Sequence, residues 1–228
     1  NQWLVQSFRN NQPYDAFARE LLTATGSTFQ NPPTNYYRTA SDMSDALETT
    51  TQIFIGNRLA CAKCHNHPFE RWTQDNYYGL GAVFNRIKRQ AGARPDEMFI
   101  TMERSGEVTN PRSGKVMKPW LPGKGSVDVP ANMDRRHVFA EWLTKKDNPW
   151  FAKVEANRLW AAVMGRGIVE PVDDLRVSNP PANPTLLDAL AASFTKNKFD
   201  WRRLIRDIAS SRAYQLSSHA TAANRADT

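Results

Sequence analysis

Between residues 91 and 132 the helical spacing of apolar side chains stops, and that break governs what the chain can become. On either side, apolar residues recur at the three-to-four spacing of helices with one buried face. Inside the break Gly and Pro gather, Met98, Ile100 and Met102 alternate, and Ser105-Gly106 reads as a turn. The pattern predicts a mainly α fold: a helical bundle-like unit over 1–90, an extended or β insert over 91–132, and a C-terminal helical unit over 133–218. Residues 219–228 are small and polar and read as a flexible tail.

Within the first unit, Trp3, Leu4 and Phe8 make one short stripe. Pro13 precedes a second run, Phe17, Leu21 and Leu22, which Gly26 can close. The Pro-, Asn- and Thr-rich stretch 27–40 reads as loop. Ser41 is the expected N-cap of a helix to about Asn57, and Thr73 caps another in which Tyr77, Leu80, Phe84 and Ile87 keep helical spacing to about Arg89. In the last unit Asp134 caps 135–145, Gly165 ends the run 149–164, and Asn183-Pro184 is an N-cap with proline at N1. Asp200 caps a final run in which Leu204, Ile205 and Ile208 share a face.

Composition narrows the class. The 228 residues are 40% apolar and 11% aromatic, enough for a proper core and against general disorder. A mean hydropathy of −0.61 and the lack of a long apolar run argue against a membrane span. The chain opens on Asn with no leader pattern and reads as processed or partial. A net charge of +7 favours an acidic partner without choosing among partners.

The two cysteines are the sharper signal. Cys61-Ala62-Lys63-Cys64-His65 is the Cys-x-x-Cys-His pattern of covalent c-type haem attachment. One turn of chain lets two thiols add to two porphyrin vinyl groups, and the next residue turns its imidazole onto the iron. A thiol redox pair would want a βαβ surround that the flanking helices do not offer. Zinc would crowd Cys61, Cys64, His65 and His67 into seven residues, where structural zinc takes separated pairs. Haem c, one group held through Cys61 and Cys64 with His65 as proximal iron ligand, is therefore the expected cofactor. His67 fits a supporting role, packed on Pro68-Phe69 or bonded to a propionate. Phe69, Trp72, Tyr77, Tyr78 and Phe84 could wall a porphyrin, although aromatics at this spacing are more often core.

The sixth ligand has several candidates: Met98, Met102, Met117, Met133 and His137, with Met117 the single nomination and an open position equally allowed. The basic pairs Arg135-Arg136, Lys145-Lys146 and Arg202-Arg203 with Arg206 read first as solvated helix ends, second as a surface for an acidic redox partner. Glu170, Asp173 and Asp174 lack a companion at catalytic spacing and read as loop caps or partners of Arg158 and Arg166. No nucleic-acid module is visible.

The stretch CAKCHNHPFERWTQDNYYGLGAVF (61–84) resembles the signature of a secreted planctomycete family of tandem domains of unknown function, often found with a cytochrome-c-like domain. Residues 133–194, opening MDRRHVFAEWL, look like the second domain of that pair, and WRRLIRDIASSRAYQLSS (201–218) continues it. SGEVTNPRSGKVMKPWLPG (105–123) looks like the usual bridge. The resemblance implies an exported protein with Cys-x-x-Cys-His at Cys61, Cys64 and His65, and with His-Pro-Phe at His67-Pro68-Phe69. It implies no settled activity. Family members usually run longer at both ends, and at His137 they more often carry another residue. The expected function is that of an extracytoplasmic, periplasmic or secreted cytochrome-like electron carrier. The alternatives are a haem enzyme with an open distal side, peroxidase-like, and a binding module of a larger secreted assembly.

Overall fold

Asp42, not Ser41, starts the longest helix of the N-terminal third. Its carboxylate accepts the backbone N–H of Asp45 at 2.8 Å, while Ser41 is drawn to the Asp45 side chain. The structure is a computed structural model and describes residues 2–217 and 219. α1 (Gln2–Arg9) and α2 (Tyr14–Thr23) follow the predicted stripes. α2 ends on an extended Ala24, and Gly26 (φ 99°) opens β1 (Gly26–Ser27) instead of closing the helix. The expected loop 27–40 holds a 3-10 turn (Pro32–Thr34) and α3 (Asn35–Thr39). The reason is non-local. Tyr37 is fully buried, donates its hydroxyl to the Leu22 carbonyl at 2.6 Å, and presents its ring to the Arg136 guanidinium 5.0 Å away. α4 (Met43–Phe54) follows.

α5 (Gln74–Gly81) opens with a capping box in which Thr73 and Asn76 satisfy each other's backbone N–H. It stops well short of Arg89. Phe84 and Ile87 are buried as predicted, but from a turn and from β2 (Ile87–Ala91). β2 pairs antiparallel with β3 (Met98–Met102), Ile87 opposite Met102, and β1 completes the sheet in the order β1-β3-β2. Two short hairpins follow, β4 (Val108–Thr109) with β5 (Val116–Met117) and β6 (Trp120–Leu121) with β7 (Gly125–Ser126). The β insert exists, yet its sheet begins before residue 91 and recruits a strand from the first unit.

The C-terminal helices keep their predicted caps. α6 (Arg135–Leu143) starts at Asp134, α7 (Phe151–Met164) ends on left-handed Gly165 (φ 82°), α8 (Pro184–Lys196) starts at Asn183, and α9 (Trp201–Ala209) starts at Asp200. Leu204 and Ile208 are buried, whereas Ile205 faces out. Tyr14 of α2 stacks on Phe151 of α7 at 4.6 Å and lies 5.4 Å from Trp201 of α9. One apolar core thus runs from Tyr14 to Ile208, through both helical units. Arg135 and Arg136 are not solvated. Arg135 spans the Ala82 carbonyl and Glu107, and Arg136 spans Asp134 and the Ala24 carbonyl. No described helix is long and apolar enough to cross a membrane. Of the expected tail, only His219 is among the described residues.

Candidate functional site

The Cys-x-x-Cys-His segment is a surface turn fixed from beneath. Leu59 and Ala62 are buried and pull a 3-10 turn (Ala60–Lys63) onto the core, leaving Cys61, Lys63, Cys64 and His65 exposed. Ala62 N–H bonds Leu59 O at 2.8 Å, and the N–H groups of Cys64 and His65 both reach Cys61 O at 3.4 Å. α5 clamps the turn at the Lys63 carbonyl, which accepts from Gln74 Nε2 at 2.9 Å and the Tyr78 hydroxyl at 3.2 Å. Asn66 Oδ1 takes the backbone N–H of Gln74 at 3.1 Å. One turn further, Trp72 O accepts from His67 N–H at 2.8 Å, and Trp72 Nε1 donates to buried Asn57 at 3.2 Å.

Both thiols are free and exposed. His65 places Nδ1 2.7 Å from the Asn66 carbonyl. A ring nitrogen against a carbonyl is the N–H donor, and Nε2 has no protein partner among the described residues. Two accessible thiols three residues apart and an imidazole whose Nε2 is left unpartnered fit the donor set of a covalently held haem. His67 behaves as a satisfied histidine, its Nδ1 accepting the Phe69 N–H at 3.2 Å.

The aromatic set divides. Trp72, Tyr77, Tyr78 and Phe84 are buried in the core below the turn, and only Phe69, 67% exposed, stands free above it. Burial and then the hydrogen bond to Glu48, at 2.6 Å, raise the Tyr77 hydroxyl well above its ordinary pKa and keep it a donor. Met117 is buried in β5 as core, while Met133 and His137 are exposed. No group of three or more His, Cys, Asp or Glu side chains among the described residues is placed to hold a metal ion, so Cys61, Cys64, His65 and His67 do not converge as zinc ligands.

The acidic loop has other partners than expected. Asp173 bonds Arg58 at 2.7 Å and also Gln52, Asp174 lies 3.3 Å from Arg176, and Glu170 accepts the Gly167 N–H at 2.5 Å. Arg158 instead reaches Glu155 at 3.5 Å. These contacts fasten the loop after α7 to α4 and to itself. Of the residues that hold the motif, the sequence marks Tyr78 only as a candidate porphyrin wall and Asn57 only as a helix end, while for Gln74 only the Thr73 cap, which fixes where α5 begins, gives a signal.

A search of the curated proteins and of the solved structures found no match. Two family models match the chain, PSCyt2, Protein of unknown function (DUF1549), over residues 1–89, and PSD1, Protein of unknown function (DUF1553), over residues 135–228, and together they fit a planctomycete tandem of domains of unknown function.

Proposed function

We propose that this chain is an extracytoplasmic c-type haem module that exchanges single electrons at its surface. The observation that carries the reading is the exposed turn in which Cys61 and Cys64 are free while His65 is oriented through Nδ1 by its neighbouring carbonyl. Addition of each S–H across a vinyl group would make two thioethers without a leaving group, and His65 Nε2 would be the proximal ligand. A haem held there would supply a one-electron iron couple. The chain's own part is to hold the turn still: Gln74 and Tyr78 fix the Lys63 carbonyl, and Asn66 ties the segment to the start of α5.

Met117 is the costlier sixth ligand, because it would have to leave the core; an open or water-filled position needs no repacking. An exposed site of this kind suits contact with a second redox protein. With Arg135 and Arg136 buried, an acidic partner would meet exposed Lys63 within the motif instead.

The test is the reduced-minus-oxidised spectrum of protein made with haem-maturation machinery, with a pyridine haemochrome assay after acid-acetone extraction. A sharp α band that stays with the polypeptide is expected. Cys61→Ala with Cys64→Ala should lose the pigment, and His65→Ala should keep it with an altered spectrum. Carbon monoxide should shift the reduced spectrum if the sixth position is open. Colourless protein despite working maturation would overturn the reading.

A further inference from the structure

A second concave site lies away from the cysteines. A cleft of about 560 Å³ opens between the start of α7, the start of α8, the loop 175–181 and Arg71, and none of Cys61, Cys64 or His65 lines it. A smaller hollow of about 210 Å³ adjoins it and shares Arg71 and Trp150. The larger volume falls within the range of small-molecule sites, and the walls are mostly apolar, with Trp150 and buried Leu187 among them.

Its charges are unequal in availability. Lys153 is paired with Asp188 at 2.5 Å, and Arg176 lies 3.3 Å from Asp174. Arg71 is exposed and has no ion pair and no side-chain hydrogen bond among the described residues. Arg176 keeps its 3.3 Å approach to Asp174 without a hydrogen bond through Nε, and the cleft therefore combines an apolar body with the Arg71 guanidinium, which has no ion pair among the described residues. A neutral apolar ligand would leave that guanidinium unused. A polyanion would meet too few free cations, and Asp188 would repel it.

We propose that this cleft binds a small apolar organic carboxylate, its ring or hydrocarbon body against Trp150 and Leu187 and its carboxylate on Arg71. The proposal does not rest on haem attachment. A guanidinium presents parallel N–H donors to a carboxylate, and such a charge-assisted contact is worth about tenfold or more in affinity.

The probe is 2-naphthoate, with 2-naphthalenemethanol as its neutral analogue, each titrated calorimetrically against the full chain and two variants. Val177 lines the cleft but is 77% exposed, so Val177→Trp can block the mouth without disturbing the core. Naphthoate should bind the unaltered chain about tenfold more tightly than the alcohol. Arg71→Met should bring the two together, and Val177→Trp should abolish both, with circular dichroism unchanged in each variant. Equal binding of the two compounds, naphthoate affinity unaffected by Arg71→Met, or binding that survives Val177→Trp would each overturn the proposal.

Discussion

Asn157 holds Val169, which lines that cleft, and replacing it is the most direct test of how the loop after α7 is held. The residue is fully buried on α7. Its Oδ1 accepts the N–H groups of Ile168 at 2.8 Å and Val169 at 3.0 Å, and its Nδ2 donates to the carbonyls of Val169 at 3.0 Å and Val172 at 3.2 Å. Asn157→Leu keeps the branching and the number of heavy atoms, so no cavity is opened. It orphans two amide N–H groups on buried residues, at about 1–3 kcal/mol each, whereas the two carbonyls retain freedom to tilt toward other donors. The expected loss is about 4 kcal/mol, a fall in melting temperature of roughly 8–16 °C for a chain of this size. Urea unfolding followed by tryptophan fluorescence should show a lower midpoint at unchanged slope. A loss below about 1 kcal/mol at constant slope would mean that water replaces the amide and that the loop holds itself.

Two other substitutions probe the frame. Burial raises the Glu155 carboxyl above its ordinary pKa, although Arg158 and the 2.9 Å bond from Trp201 work against the shift. A raised carboxyl contributes stability that is fully present below the unfolded value of about 4.3 and is lost as pH rises through the folded one. Relative to Glu155→Gln, the parent should therefore lose stability as pH rises above about 4.3, and a difference in melting temperature between the two that does not change with pH would contradict the assignment. Thr73→Ala removes the hydroxyl half of the α5 capping box and should cost about 1 kcal/mol, with faster amide exchange at Asn76; unchanged exchange there would show that the clamp on the Lys63 carbonyl holds α5 without that cap.

Local chemistry made part of this architecture readable. Asp134, Asn183-Pro184, Asp200 and Gly165 end or begin helices through contacts within a few residues, and each stands where the sequence places it. Distant contacts decided the rest. α5 stops at Gly81 although Phe84 and Ile87 continue its spacing, because Ile87 is claimed by Met102 across the sheet. At Gly79 a Cβ would lie 2.7 Å from that of Trp120, so the helix is packed against a hairpin no helical period can announce. The Arg135-Arg136 pair looked solvated because arginine usually is; Glu107, Asp134 and carbonyls over fifty or a hundred residues away in sequence make burial affordable. For the candidate site, Cys61, Cys64 and His65 were legible as a motif. The cleft was not, since Arg71, Trp150, Val177 and Leu187 meet only when the chain is folded.

The stacking of Tyr14 on Phe151, together with Arg136 reaching back to the end of α2, bears on how such a chain can be divided. A break in the insert would leave one product with a naked aromatic face and the other with a guanidinium stripped of its Tyr37 and carbonyl cage. Each product would expose surface that the other now covers, so the two matched segments are expected to be less stable apart than joined.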